Sequence, residues 1–306
     1  MANGQPLRIK TISEYHRVRE LPRPEHPLIS VINFEEIRRL SGNRPTSLVF
    51  DFYSIALKRN FNASIKYSYG QQSYDFDEGV MFFMSPGQVF SVASDEEFKH
   101  TGWMLLVHPD FLWNTPLAKK IKQYEYFSYA VHEALHLSEK EELTLTGIIE
   151  NIAQEYHAAI DKFSQDVIIG QLDVLLTYAD RFYNRQFITR KITNHQILDR
   201  LEELLSAYFD SDALSRDGLP TVQYIADGLN VSPNYLSGLL KVLTGRSTQH
   251  HIHDKLIGKA KEQLSTTSLS VSEIAYALGF EHSQSFSKLF KNKTSLSPLE
   301  FRHSFN

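Results

Sequence analysis

Two stretches of this chain place side chains where they could do chemistry, and the two chemistries differ. Residues 282–293 (HSQSFSKLFKNK) set Ser283, Gln284 and Ser285 ahead of Lys288, Lys291 and Lys293. Short hydroxyls and one amide at the beginning of a helix suit the reading of base edges in a major groove. Gln pairs bidentately with adenine, and Ser donates or accepts. The lysines that follow are spaced for phosphates, where charge adds affinity without sequence information. Asn234, Ser237, Gly238 and Lys241 offer a second, weaker set of the same kind. The plain alternative for any one of these residues is a solvated surface position. The other stretch is His132-Glu133-Ala134-Leu135-His136. It matches the H-E-x-x-H spacing that, on one helix, gives two zinc ligands and a general base. A zincin needs a further ligand downstream, and Ser138 already caps a new helix two residues on, so chance is the better account. A metalloenzyme is the rival function this string supports. His250 and His253 could share a helical face, but a third ligand or carboxylate is lacking. With neither a phosphate-cradling glycine loop nor a G-x-S-x-G elbow, the expectation is a non-enzyme that needs no metal or cofactor.

The elements that would position the groove-reading residues form an internal repeat. Val222, Ile225, Ala226, Leu229 and Asn230 match Val271, Ile274, Ala275, Leu278 and Gly279 at an offset of 49. Leu236, Leu239, Leu240 and Lys241 then match Phe286, Leu289, Phe290 and Lys291 at an offset of 50. One extra residue in the second turn explains the slip, because loops absorb insertions that packed helices do not. Each copy reads as a short helix, a tight turn and a second helix. Asn230 and Gly279 tolerate the left-handed dihedrals such a turn needs. Ser232-Pro233 supplies an N-cap and a first-turn proline, while Ser270/Glu273 and Ser297/Glu300 read as capping boxes. Residues 252–264 form one helix between the copies, long enough to act as a rigid spacer.

Charge is partitioned along the chain. The whole carries −4, yet residues 241–306 hold nine Lys/Arg against five Asp/Glu, about +4, which leaves about −8 for the remainder. That asymmetry suggests a nucleic-acid-facing end and a remainder with another task. A hydrophobic fraction of 42% with 12% aromatics supports sizeable cores, which argues against disorder. The absence of cysteine excludes a disulfide framework and thiol nucleophiles and fits a reducing compartment. Residues 1–23 resemble no signal peptide, and no run approaches the ~18 apolar residues of a membrane span. A cytoplasmic protein with no membrane partner is expected.

Before the repeat, residues 47–58, 64–69, 74–83 and 101–108 read as short strands rich in β-branched and aromatic residues, with Gly70, Gly79 and Pro86-Gly87 as punctuation. Pro116 then opens a helical texture, the Tyr124–Tyr129 aromatics read as packing, and Ser138/Glu141 reads as a third capping box. Leu143, Leu145, Ile148, Ile149, Ile152, Tyr156 and Ile160 recur at helical spacing, and a second helix spans about 164–182 with Val167, Ile168, Leu172, Leu175, Leu176 and Ala179 on one side. This hairpin either covers the β core or forms a dimer face. Residues 187–194 (FITRKITN) read as a linker. The fold class is α+β: an N-terminal β-barrel over 1–115, a helical hairpin over 116–187, and an all-α domain with two helix-turn-helix units over 188–306.

Residues 196–302, above all SVSEIAYALGFEHSQSFSKLFKNKTSLSPLEFR at 270–302, resemble the AraC-type family of bacterial regulators. The resemblance implies a seven-helix DNA-binding domain whose two recognition helices enter successive major grooves of double-stranded DNA. By position it assigns Asn234, Ser237 and Gly238 to the first recognition helix, and Ser283, Gln284, Ser285 and Lys288 to the second. Gly238 stands where the family often carries a longer side chain, Leu256 where it has arginine, and Ser295 where it has glycine. The N-terminal part is similar to the cupin-like sensor domains of such regulators. That implies a homodimer, with RNA polymerase and a small-molecule effector as further partners. Lacking His-X-His on its strands, the barrel is expected to hold no metal. Tyr53, Tyr67 and Trp103 are the aromatic candidates for an effector pocket, against ordinary packing or surface roles.

Overall fold

In the computed structural model the described residues are 6–37, 46–59, 79–92, 101–130, 133–159, 161–189 and 191–304. The fold is mixed α+β, with sheets in a first compact unit, Met1–Gln186, and helices alone in a second, Phe187–Asn306.

The first unit holds strands β1 (Leu7–Ile9), β2 (Ile29–Asn33), β3 (Thr46–Phe50), β4 (Tyr53–Arg59), β5 (Val80–Met84), β6 (Val89–Val92), β7 (Thr101–Val107) and β8 (Leu135–His136). They form two sheets, of order β1-β3-β6 and β2-β7-β4-β5-β8. Among the described residues the strands do not close into a single barrel. The one strand expected over 47–58 is two. The chain leaves the smaller sheet after Phe50 and enters the larger at Tyr53, turning at Asp51, whose carboxylate accepts from the Arg8 guanidinium at 2.9 Å. Neither Gly nor Pro marks this corner. Residues 64–69 lie outside the described segments, as does the first half of 74–83, whose described half, 79–83, leads into β5.

Side chains alternate across a strand, so the register assigns the faces of the larger sheet. Ser30, Ile32, Ser54, Ala56, Lys58, Phe82, Met84, Met104 and Leu106 share the inner face. There the core includes Ile32 and Leu106, with Leu48 and Phe50 of the smaller sheet and Ile12 and Tyr15 of α1 (Ile12–Val18). Tyr53, Ile55, Leu57, Phe83, Trp103 and Leu105 share the other face, which lies under aromatic side chains such as Phe127 and Tyr126. Covered on both sides, the sheet gives β4 a buried run, Tyr53–Leu57, without clean polar alternation.

After α2 (Leu117–Lys120) and two 3-10 turns come α3 (Glu139–Tyr156) and α4 (Ser164–Thr189). The Ser138 amide N–H donates to Glu141 Oε2 at 2.9 Å, as the capping box requires. Tyr126 stacks on Tyr183 at 5.3 Å and its hydroxyl donates to the Leu176 carbonyl, so the aromatic cluster is packing. Leu145, Ile149 and Ile152 are buried as expected, whereas Leu143 and Val167 are exposed. Ile160 lies outside the described residues.

The stretch expected as a linker is helical. Helix α4 runs to Thr189 and α5 (Lys191–Phe209) begins two residues later, with Arg190 outside the described residues. Residues 187–194 contain no Gly or Pro, so nothing in their backbone chemistry breaks a helix, and polarity alone did not mark a loop. Phe187 is buried, its ring 5.1 Å from Tyr235. The second unit continues with α6 (Ala213–Asp217), α7 (Val222–Leu229), α8 (Pro233–Thr244), α9 (Thr248–Thr266), α10 (Val271–Ala277), α11 (Ser283–Thr294) and α12 (Pro298–His303). One apolar core joins both repeat copies, with Ile252, Leu256, Ala260 and Leu264 of α9 running through it.

Candidate nucleic-acid interface

The two copies of the repeat fold the same way down to single hydrogen bonds. After α7, Asn230 is left-handed (φ 56°) and the Val231 N–H donates to the Ala226 carbonyl at 3.0 Å. After α10, Gly279 is left-handed (φ 79°) and the Phe280 N–H donates to the Ala275 carbonyl at 3.0 Å. Both are six-to-one closures that satisfy an orphan carbonyl at a helix end. Ala226 and Ala275 supply these carbonyls and are fully buried. The copies differ next. Ser232 caps α8 at once, its Oγ accepting from the Tyr235 N–H at 3.2 Å, whereas Glu281 is inserted before His282 caps α11. The second helices end alike, on left-handed residues fifty apart: Gly245 (φ 71°) and Ser295 (φ 67°). Capping boxes open α10 and α12. Glu273 and Glu300 accept from the Ser270 and Ser297 N–H groups at 2.7 and 2.6 Å, which holds both carboxyls below their usual range.

Phe286 and Phe290 are completely buried, which turns the opposite side of α11 outward. Gln284, Ser285, Lys288 and Lys291 are exposed, while Ser283 and Lys293 are half-buried. On α8, Asn234 and Lys241 are exposed, and Ser237 and Gly238 are half-buried. Ser237 Oγ lies 3.3 Å from Thr248 Oγ1 at the start of α9, so its hydroxyl is partly occupied within the domain. The first copy therefore presents fewer free polar groups than the second.

Most cations of this segment are already engaged. Lys255 pairs with Glu202 of α5, and Lys259 with Asp210 just beyond its end at 2.8 Å. Arg302 donates to the Leu264 and Leu269 carbonyls. Asp254 of α9 takes Arg246 at 2.6 Å and Lys293 at 3.4 Å, one cation from the end of each copy. Spacing along the sequence gives no hint of that bridge. Among the described residues Lys241, Lys288 and Lys291 form no ion pair, and all three lie on the second helices.

The remaining candidates are scattered. Tyr53 and Trp103 share the helix-covered face of the larger sheet, four register positions apart, and Tyr53 packs edge-on to Phe127 at 5.2 Å. Tyr67 lies outside the described residues, as does His132. Leu135–His136 is a strand paired with β5, not a turn of helix, so the spacing that would aim two histidines at one zinc is absent there. His250 bonds Ser247 and His253 bonds Gln249, each within its own helix end, and burial lowers the His251 and His253 pKa values. Sequence reasoning overlooked Lys58, a half-buried cation on the inner face of the larger sheet whose ammonium lies 5.2 Å from the Phe82 ring centre. The available signal was a lysine at an inward position of an otherwise apolar strand.

Residues 225–304 match the family model described as a helix-turn-helix domain. The raffinose operon transcriptional regulatory protein RafR of Pediococcus pentosaceus is 36% identical over 140 residues, 45% of this chain and 48% of that protein. The C-terminal domain of the two-component response regulator yesN from Fusobacterium nucleatum is 31% identical, covering 36% of this chain and 97% of that one, with a TM-score of 0.30. A transcriptional regulator with an AraC-type DNA-binding domain from Chromobacterium violaceum is 23% identical, covering 37% and 96%, with a TM-score of 0.33. The chain spans half or less of the length of the curated relatives it matches.

Proposed function

The C-terminal domain of this chain belongs to the AraC-type helix-turn-helix family, and on that premise we propose that the whole protein is a sequence-specific DNA-binding regulator of transcription. One observation carries the reading: two units with identical turn closures share one core and turn polar residues and unpaired lysines outward. Asn234, Ser283, Gln284 and Ser285 are assigned to base edges. Lys241, Lys288 and Lys291 are assigned to phosphates, while Ser237, Gly238 and Lys293 lie at the margins of the contact. No catalysis, metal or cofactor is part of the proposal.

The N-terminal β unit is assigned the role of a cupin-like receiver of a small molecule, with Tyr53, Tyr67 and Trp103 as ligand candidates. We further assign homodimerisation to α4. Val167 and Val174 are exposed seven residues apart, with exposed Gly170 between them and exposed Phe163 one turn earlier, which is the spacing of a helix–helix seam. A cytoplasmic location and contact with RNA polymerase complete the proposal.

Selection of duplexes from a random pool by the full-length chain tests it. The expected result is a defined motif, bound more weakly as salt rises because phosphate contacts release counterions. Gln284→Ala should relax preference at one base pair by ~1–3 kcal/mol, whereas Lys288→Ala should weaken all duplexes alike. Recovery of no enriched motif would reject the reading.

A further inference from the structure

Helix α6 precedes the first copy of the repeat in sequence but rests on the turn of the second. Gly218 ends α6 at φ 77° and ψ −157°, a backbone region open essentially to glycine alone, and its N–H donates to the Leu214 carbonyl at 3.1 Å. Against it lies Gly279, the left-handed residue between α10 and α11. A Cβ added to Gly279 would sit 2.5 Å from the Leu214 carbonyl oxygen and 2.9 Å from Gly218 Cα, so the two backbones meet where no side chain fits. Beside this contact the Ser215 hydroxyl donates to the Ala277 carbonyl at 3.3 Å. Gly218 is held in turn from the first copy. The Tyr208 hydroxyl of α5 donates to the Gly218 carbonyl at 2.9 Å, and the Tyr208 ring lies 5.1 Å from that of Tyr224 on α7. Leu214, buried in the core that both copies share, anchors α6 there.

The two copies are therefore joined twice, along α9 and through Tyr208, Gly218 and Gly279. One packed helix fixes their separation, and a second contact through a different element resists rotation of one copy against the other. Rotation matters for recognition, because successive base pairs are displaced by about 3.4 Å along the duplex axis and turned by roughly 35° around it. We propose that the Gly218–Gly279 contact, fastened by the Tyr208 hydroxyl, sets the angle between α8 and α11 and so selects the half-site spacing that this chain accepts. Gly279 stands four residues before Ser283, so a shift of the turn is carried directly into α11. Tyr208, Gly218 and Gly279 are positioning residues, acting on specificity through the helices and not by reading bases. The inference rests on the reading of α8 and α11 as the groove-reading helices.

The test uses the full-length chain and the motif it enriches from a random duplex pool, rebuilt with the half-site spacing one base pair longer or shorter. Wild type should lose affinity about 10-fold or more on either change. Tyr208→Phe keeps the ring and removes one hydrogen bond, so it should shrink that loss about 2- to 10-fold. Gly245→Ser strains the end of α8, where φ is 71°, without touching the contact, and should leave the loss as it is. That control separates positioning from stability. Amide exchange gives a second readout that needs no DNA. The Gly279 and Phe280 N–H groups, bonded to the Tyr276 and Ala275 carbonyls at 3.0 Å each, should exchange about 2- to 10-fold faster in Tyr208→Phe. An unchanged spacing loss in Tyr208→Phe overturns the proposal. So does unchanged exchange at the turn, or an equal relaxation in Gly245→Ser. A motif that is enriched but indifferent to spacing sinks this inference alone, whereas enrichment of no duplex sinks the regulator reading and this inference with it.

Discussion

Gly245 and Ser295 occupy the same place in the two copies, and exchanging them measures what a left-handed residue costs here. Both follow the last turn of a second helix, with φ of 71° and 67° and a backbone N–H bonded back to Lys241 and Lys291 respectively. A residue with a Cβ pays roughly 1–2 kcal/mol in this conformation. Glycine avoids that strain but gives up about 0.5–1 kcal/mol through its freer unfolded chain. The difference predicts that Ser295→Gly stabilises the second unit by roughly 1 kcal/mol and Gly245→Ser destabilises it by about as much. Space does not confuse the second change, because a Cβ at Gly245 meets nothing within 4 Å. Thermal unfolding of the full chain should show the transition of the helical unit move by roughly 3–6 °C, up in one variant and down in the other. The double exchange should return it near its starting point, since the two sites lie on different helices. Destabilisation by Ser295→Gly would show that the serine earns its place through a contact, and the strain argument would be wrong.

Gly279→Ala should cost more than either, about 2–4 kcal/mol, because its Cβ would lie 2.5 Å from the Leu214 carbonyl oxygen at a φ of 79°; urea unfolding checks it, and Asn230→Gly at the matching position should be nearly neutral. Asp254→Asn should free Arg246 and Lys293, raise DNA affinity at low salt and steepen the salt slope by about 0.9 for each cation that reaches a phosphate; an unchanged slope would place both cations away from DNA. Lys58 is lowered from its ordinary value to about 8, so between pH 8 and 10.5 the unfolded chain binds more protons. The desolvation penalty on its charge is complete below pH 8 and fades as pH climbs, so Lys58→Met should be more stable at pH 7 by about 1 kcal/mol, because the half-buried ammonium keeps part of its hydration, and should flatten the alkaline gain. Bases read by α11 should tolerate substitution less than those read by α8, because Ser237 is shared with Thr248 and Gly238 has no side chain; equal information at the two half-sites would refute that asymmetry.

The repeat was legible because its turns obey local rules. Asn230 and Gly279, Ser232-Pro233 and the capping boxes act through neighbours a few residues away, and the structure forms each of them. The N-terminal unit was less legible because its constraints are distant in sequence. The corner at Asp51 depends on Arg8, forty-three residues earlier, and lacks the usual glycine or proline. The run at 187–194 carried a polar composition shared by loops and helices, and its lack of Gly and Pro was the one local sign of a helix. The half-burial of Ser237 was hidden for a related reason. Its partner Thr248 belongs to the next helix, and amphipathic spacing along α8 alone cannot reveal it.

Electrostatics and packing divide the work in the helical unit unequally. Helix α9 buries Ile252, Leu256, Ala260 and Leu264 at steps of four residues in a core shared with both copies. Such a stripe fixes a helix by close packing, and a packed interior resists small displacements. The distance between α8 and α11 is therefore set by apolar side chains that touch neither DNA nor solvent. The Asp254 bridge to Arg246 and Lys293 spans the same elements, but its carboxylate side chain is 39% exposed, where ion pairs contribute at most about 1 kcal/mol. It can tune how many cations face a phosphate without determining where the helices stand. Net charge for the chain is −4 and says little about this arrangement. What matters is that Lys255, Lys259 and Arg302 are spent inside the domain, and Lys241, Lys288 and Lys291 are left on the two helices that would meet the duplex.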